Sequence, residues 1–434
     1  MVEPFRHALV LKNELNIFPQ HMTVTPSQRS TFAAKTFAAL RYRNYRLWFF
    51  GQMVSLFGSW MQTTAQGFLV FQLTGSPAYL GYVGFATGVP TWALTLYGGV
   101  VADRVPRRTL LMITQTAQMA LAFILAALVF TGVVQPWHIV ALSFLLGVAN
   151  AFDAPARLAF VRELVDKEDL TNGIALNATM FNLATTTGPA IAGVTYNLVG
   201  PAWCFMLNGI SFLAVIGALW RMRIAPKPAA PRSASAWRDL REGLSYILHE
   251  PVVRTLIALV GVTSCFGISF ATLFPAWAVR ILGGDATTTG LLQSARGLGA
   301  LLGALLIASL GRFQFKGRLL TIGSFAFPTL LILLTFTNWL PLTLAILVAS
   351  GLAVILIMNL ANALVQTLAP DALRGRVMAV YSMVFFGMMP VGALWIGLIA
   401  EHAGEPTAVI SGALAVLCAA ALIFVAMPQI RALP

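Results

Sequence analysis

A helix that crosses the hydrocarbon core of a bilayer needs about 20 mainly apolar residues in a row, and this 434-residue chain offers twelve such runs. They fall at about 45–74, 77–102, 108–132, 136–160, 171–198 and 200–220, and again at about 252–280, 286–311, 317–337, 341–368, 373–400 and 405–427. Between the two sets lies a polar stretch, 221–251, with Arg221, Arg223, Lys227 and four prolines. The pattern predicts an all-α integral membrane protein with twelve transmembrane helices. Only 10% of the residues are charged and 58% are hydrophobic, against roughly 25% charged in soluble domains. That excludes soluble domains, and also a disordered chain or a coiled coil kept in solution by charge.

The basic residues set the expected topology. Lys and Arg accumulate in short cytoplasmic loops, and with both termini cytoplasmic 26 of the 28 fall on that side. Arg280 and Arg296 are the two others. Parcelled between apolar runs in this way, a net charge of +13 does not describe a nucleic-acid surface. Five segments are expected: a cytoplasmic arm 1–44, a six-helix bundle 45–220, a cytoplasmic amphipathic linker 221–251, a second six-helix bundle 252–427 and a cytoplasmic tail 428–434. The arm lacks the compact regions of a signal peptide. In the linker, Trp237, Leu240, Leu244, Ile247 and Leu248 fit one helical face, as expected of a helix lying on the membrane surface. A shift of 204 residues aligns Gly188 with Gly392 and Gly193 with Gly397, a weak sign that the two sets are duplicates.

The sharpest local motif leaves the second run: Gly99, Asp103 and Arg104, then Arg107 and Arg108. A small residue permits close helix contact, and Asp103 one turn later is placed to pair with an arginine or to face the positive end of another helix. The turn before the run at 373 offers such an end, with Asp371 as a candidate N-cap. The arginines also read simply as topology anchors. With its Gly, three residues, Asp-Arg, two residues, Arg-Arg spacing, this motif resembles that of the major facilitator superfamily, with Pro106 where a glycine is usual. The resemblance implies a cytoplasmic gate latch and two six-helix bundles around a central cavity.

Other elements extend the resemblance. Gly188, Pro189 and Gly193 resemble the Gly-Pro motif on helix 5 of exporters in the superfamily, although an ordinary packing kink reads equally well. Phe152-Asp153-Ala-Pro155-Ala-Arg157 is similar to the branch holding bacterial enterobactin exporters and multidrug or macrolide efflux proteins. Asp153 and Arg157, four residues apart, suit a local ion pair unless Pro155 separates them, in which case either is free to reach Asp103 or Arg104 at the gate. Arg296 falls near the bilayer centre, where a charge needs a partner or an anionic substrate. On the helices that line the cavity in this superfamily stand Gln62, Gln66, Asn150, Thr263, Asn359 and Asn362, with Phe266, Phe270 and Trp277 adding aromatic surface.

These features predict an alternating-access exporter of a small amphiphilic or anionic organic compound, a siderophore or a drug, in a bacterial inner membrane. Proton coupling follows from the resemblance, yet no acidic residue or histidine stands at the centre of the cavity helices. Import of a small solute and a non-transporting receptor or scaffold are the competing readings. The expected partners are the solute, the lipid bilayer and protons, without nucleic acid, and the chain is expected to be a monomer. No cofactor is expected, because there is no Walker loop, the histidines lack metal-ligand spacing and Cys204, Cys265 and Cys418 stand apart. Enzyme activity is therefore not expected.

Overall fold

The computed structural model describes residues 36–223, 236–311 and 314–433. Most of the expected arm, the linker residues 224–235 with Lys227, and the side chain of Trp237 lie outside the described residues. By their contacts residues 39–434 form one unit, which holds everything that follows.

Among the described residues every regular element is helical. The long helices are α1 (Arg43–Thr74), α2 (Pro77–Arg104), α3 (Arg107–Phe130), α4 (Pro136–Leu164), α5 (Leu170–Val199) and α6 (Pro201–Arg221), then α7 (Pro251–Ile281), α8 (Ala286–Leu310), α9 (Lys316–Leu334), α10 (Leu340–Leu368), α11 (Arg374–Ala403) and α12 (Glu405–Ala426). Nine of them, α3, α4 and α6 to α12, are long and apolar enough to cross a membrane. The other three, with 32, 28 and 30 residues, are as long but less apolar. Their limits agree with the apolar runs because the chain marks them chemically. Proline opens α2, α4, α6 and α7, where a missing N–H costs no helical bond. Gly200 and Gly404, 204 residues apart, end α5 and α11 at φ 88° and 82°, a conformation that a side chain would strain.

The chain turns at two ends. The basic end carries Arg43, Arg107, Arg221, Arg254 and Arg374; the far end carries the turns at Gly75, Gly200, Gly283 and Gly404. Within residues 39–223 the main packing pairs are α1 with α6 and α5, α2 with α4, and α3 with α6 and α4; within residues 251–433 they are α8 with α10, α9 with α10 and α12, and α11 with α12 and α7. Only two extensive pairings join the halves, α2 with α11 and α5 with α8. Large apolar side chains such as Leu198, Trp220, Phe336 and Leu422 point outward and stay exposed, the inverse of a water-soluble fold.

α7 is not a regular helix. After Val262 it passes through a π-helical turn (Thr263–Gly267), a 3-10 segment (Ile268–Leu273) and a second π turn (Trp277–Ile281). Gly392 of α11 is pressed against the Cys265 carbonyl and Gly412 of α12 against the Phe266 carbonyl, so protein rather than lipid covers the irregular backbone.

The linker helix, Ala236–His249, divides its apolar face. Ile247 is buried and Leu240 packs beside it, while Leu244 and Leu248 stay exposed. Gly243 lies against the Arg376 carbonyl, Glu242 pairs with Arg376, and the Tyr246 hydroxyl donates to the Leu368 carbonyl at 3.4 Å. Part of the face expected to lie on the membrane surface is therefore spent on docking to α10 and α11.

Candidate functional site

The two halves meet along glycine seams confined to the far half of the molecule. On α2, Gly81, Gly84 and Gly88 share one face and meet Ala393 and Pro390 of α11; a Cβ on Gly81 would sit 2.7 Å from the Ala393 carbonyl oxygen. Gly387 of α11 in turn receives the Trp92 ring, whose Nε1 donates to the Met383 carbonyl at 3.1 Å. The second seam is its counterpart. Gly193 of α5 lies on Ala286 and Thr287, Gly290 of α8 on the Pro189 carbonyl, and Gly297 on Thr185 and Thr186. Pro189 cannot accept its neighbour's ordinary helical geometry without disturbing the turn before it, and the Ala190 N–H donates to Ser294 Oγ across the seam at 3.1 Å. The 204-residue shift carries Gly188, against Trp60 of α1, onto Gly392, against α7, and carries Gly193, against α8, onto Gly397, against α2. Each pair repeats the same neighbour relation in the other half.

Polar contacts bind the far end further. Arg280 pairs with Glu405 at 2.9 Å, donates to the Gly75 carbonyl and lies over the Phe71 ring at 5.4 Å. Glu401 accepts from Ser76 Oγ at 2.6 Å and from the Ala78 N–H at 3.3 Å, so α11 caps the start of α2. Asn197 bridges to Asp285 and Thr287, while Asp285 caps α8 through the Thr288 N–H at 3.0 Å. A cavity of about 460 Å³ lies among Phe68, Phe71, Gln72, Arg280 and Asp285.

The basic end is joined differently. Among the described residues, no hydrogen bond or ion pair between residues 39–223 and 251–433 lies nearer that end than Trp92 with Met383. Asp103 is 67% exposed and reaches Arg107 at 3.5 Å; Arg107 also pairs with Glu163 at the end of α4. Arg104 is exposed, and Arg108 donates to the Trp220 carbonyl at 3.0 Å. A Cβ on Gly99 would meet nothing; the close approach expected there occurs at Gly98, against the Ala151 carbonyl of α4. Pro106 serves the turn without a glycine, since Val105 and Pro106 keep φ at −101° and −51°. Asp371, 90% exposed, caps nothing and pairs with Arg374, because α11 starts only at Arg374.

Asp153 is 1% exposed, pairs with Arg157 at 3.2 Å, and accepts from Thr114 Oγ1 at 2.9 Å and Gln115 Nε2 at 2.8 Å. Pro155 does not separate the pair, and neither partner meets Asp103 or Arg104; Glu163 takes the arginine of the gate motif instead.

Several expected cavity residues are spent inside their own half. Gln62 accepts from Asn208 Nδ2 at 2.6 Å, Gln66 donates to Ser143 Oγ at 2.6 Å, and Phe270 and Trp277 are buried in the apolar core of residues 247–430. Thr263 is fully buried, with its hydroxyl unpartnered. Asn150 and Phe266 are partly exposed, the latter edge-on to Trp395. Asn359 is exposed, and Asn362 accepts from Gln366 at 2.7 Å. Arg296 is partly buried on α8, its Nε enclosed without a partner and no carboxylate within ion-pair distance among the described residues.

The run through Phe160, Arg162 and Glu163 carries part of the efflux-branch resemblance but not the pairing of Glu163 with Arg107, and nothing in the sequence pointed to Glu401 or Asn197, since polar residues at helix ends are common. The glycine spacing on α2 was the available signal for the first seam.

Comparison with known proteins fits this architecture. A transmembrane secretion effector model matches residues 34–433. Curated relatives include the staphyloferrin A transporter of Staphylococcus aureus, 24% identical over 82% of this chain and 90% of its own length. The multidrug efflux pump Tap of Mycolicibacterium fortuitum is 27% identical over 80% and 87%, and macrolide efflux protein A of Streptococcus pyogenes 24% over 84% and 92%. Among solved structures, a bacterial homologue of the human lysosomal transporter Spinster, in an inward-facing unoccupied conformation, superposes with a TM-score of 0.69 at 13% identity, covering 90% of this chain and 98% of that one. A POT family transporter in complex with 5-aminolevulinic acid gives 0.71 at 13% identity, covering 89% and 96%. The chain belongs to the transmembrane secretion effector family of major facilitator transporters.

Proposed function

We propose that the chain is a secondary active exporter of a small amphiphilic or anionic compound, working by alternating access between two six-helix bundles, 45–220 and 252–427. All twelve long helices cross the membrane in this reading, including α1, α2 and α5, whose lower apolarity reflects the seam and interhelical contacts they make. Both termini and the basic end face the cytoplasm in this reading, which the Lys and Arg distribution supports. The conformation described is then open inward and closed outward. The observation that carries this reading is the asymmetry of the seams, tight and bonded at the far end and, among the described residues, without a hydrogen bond or ion pair between the halves at the basic end.

Export is supported by the relatives' names, a siderophore transporter and two kinds of efflux protein. The gate motif closes the basic end in the alternate state, when exposed Asp103 and Arg104 approach the start of α11. Gly188, Pro189 and Gly193 act through the α5 to α8 seam. Asn150, Phe266, Arg296, Asn359 and Asn362 face the pathway, whereas Gln62, Gln66, Thr263 and Phe270 hold its walls.

Purified protein in sealed liposomes tests the proposal. Dyes and a siderophore are expected to move against their gradient when a pH gradient is imposed. Solute movement indifferent to the pH gradient contradicts proton coupling, and no movement of any solute contradicts transport itself.

A further inference from the structure

Among the described residues, no carboxylate lies within ion-pair distance of Arg296. α8 uses its faces separately: Gly290, Ser294 and Gly297 meet α5, while Gly299 and Gly303 meet Val348 and Leu352 of α10. Gln293 lies on the side of α1, its Oε1 accepting from Thr64 Oγ1 at 3.0 Å. At 100° per residue, Arg296 falls between the α10 face and Gln293, next to the side that α8 turns to Thr64 of α1. Its Nε is enclosed and unpartnered, but the residue is only partly buried, so the Nη groups are the portion that reaches open space.

The acidic residues within the long helices are engaged elsewhere. Asp103 and Glu163 hold Arg107, Asp153 holds Arg157, and Glu405 holds Arg280. Asp285, on the same helix, is eleven residues away, about 16 Å by helical rise, and is occupied by Thr288 and Asn197. Glu401 is occupied by Ser76 and Ala78. One turn before Arg296, Gln293 has spent its oxygen on Thr64, and among the described residues its Nε2 donates to no acceptor. A guanidinium and an amide N–H, without a competing acceptor, are chemistry for an oxyanion.

We infer that Arg296 and Gln293 form the seat for an anionic headgroup, so that the transported solute is an amphiphile bearing a carboxylate or a similar oxyanion. That the solute is transported rests on the transport reading; the seat itself rests on the placement of Arg296 and Gln293. With its Nε enclosed, the guanidinium binds an anion more strongly than one at a fully hydrated surface, and Arg offers two parallel N–H bonds that Lys lacks.

A matched pair of probes tests it: dansylglycine, a monoanion, and its neutral methyl ester, titrated against the full chain in nanodiscs by dansyl fluorescence. Dansylglycine is expected to bind the wild type, about tenfold or more weaker to Arg296→Gln, and at an intermediate level to Arg296→Lys. Gln293→Leu weakens it a few-fold. The ester is expected to bind all four proteins alike, which also reports that they fold. Equal binding of dansylglycine to wild type and Arg296→Gln, or no binding to wild type at millimolar concentration, overturns the seat. In sealed proteoliposomes the two readings separate. Transport of the ester without binding of the anion overturns the seat and leaves transport standing; Arg296-dependent binding with neither probe moved keeps the seat and overturns transport.

Discussion

At the far end Arg280, on α7, holds Glu405 of its own half and also the Gly75 carbonyl of the other. At the basic end Arg107 holds Glu163 and Asp103, both from its own half. The apolar packing follows the same division. The far cluster of the first half, with Phe68, Leu80 and Phe205, includes Ala276 and Ala286 from the second half, whereas the basic cluster around Trp48, Phe160 and Leu219 includes none. Arginine and carboxylate are present at both ends, so charge composition does not separate them. What separates them is whether glycines allow two backbones close enough for polar groups to reach across.

The largest effect is therefore expected from filling the seam. In Gly290→Leu the new side chain meets the Pro189 carbonyl. Overpacking of this kind costs about 1–3 kcal/mol, and here it falls wholly on the far-closed state. Transport should drop at least about tenfold, with Cys introduced at Gln72 becoming reactive to a membrane-impermeant thiol reagent. Unchanged transport would show that the glycine contact is not a gate.

Asp153→Asn comes next and acts on one half alone. It removes a buried carboxylate from Arg157, leaving Thr114 and Gln115 with a weaker acceptor. Because Arg157 is partly exposed, the loss is held to about 2 kcal/mol. Thermal unfolding should shift down while accessibility at both ends keeps its wild-type ratio. A change in that ratio would make Asp153 part of the gate.

Arg280→Gln sharpens the contrast. Its side chain is 44% exposed, so the expected loss is about 1 kcal/mol, roughly a fivefold rise in the far-open population. Equivalent removal of Arg107 should leave far-end accessibility unchanged, and paired thiol-labelling rates measure both. Smallest of all is Asp103→Asn in the resting state. With its carboxylate at 3.5 Å from Arg107 and mostly in solvent, stability should change by less than about 0.5 kcal/mol, while the transport cycle slows. An equal loss of stability and rate would instead make Asp103 a structural residue.

Much of the fold was legible in the sequence because a helix long enough to cross a membrane announces itself in unbroken apolar residues, and proline and glycine mark its ends, as at Pro77, Pro136 and Gly200. Arg296 was legible for the same reason, being a charge where the solvent disfavours one. The face of a polar residue was not. Gln62 and Gln66 stand four residues apart on α1, yet one turns to Asn208 of α6 and the other to Ser143 of α4. Both satisfy an amide inside the bundle, which is the usual fate of polar groups deprived of water. Nor did sequence give Asp371 its partner, since the start of α11 depends on packing against the linker helix as well as on capping chemistry.

The central claim is that the two ends alternate, with the basic end open in the state described here. Spin-label distances test it most directly in a protein with its three native cysteines replaced. One pair, Asp103→Cys with Asp371→Cys, reports the basic end; the other, Trp137→Cys with Trp339→Cys, reports the far end, and all four positions are exposed. Across pH and added solute, one distance should shorten as the other lengthens, with the basic pair the more widely separated at rest. Two distances that move together, or that never move, would contradict the account.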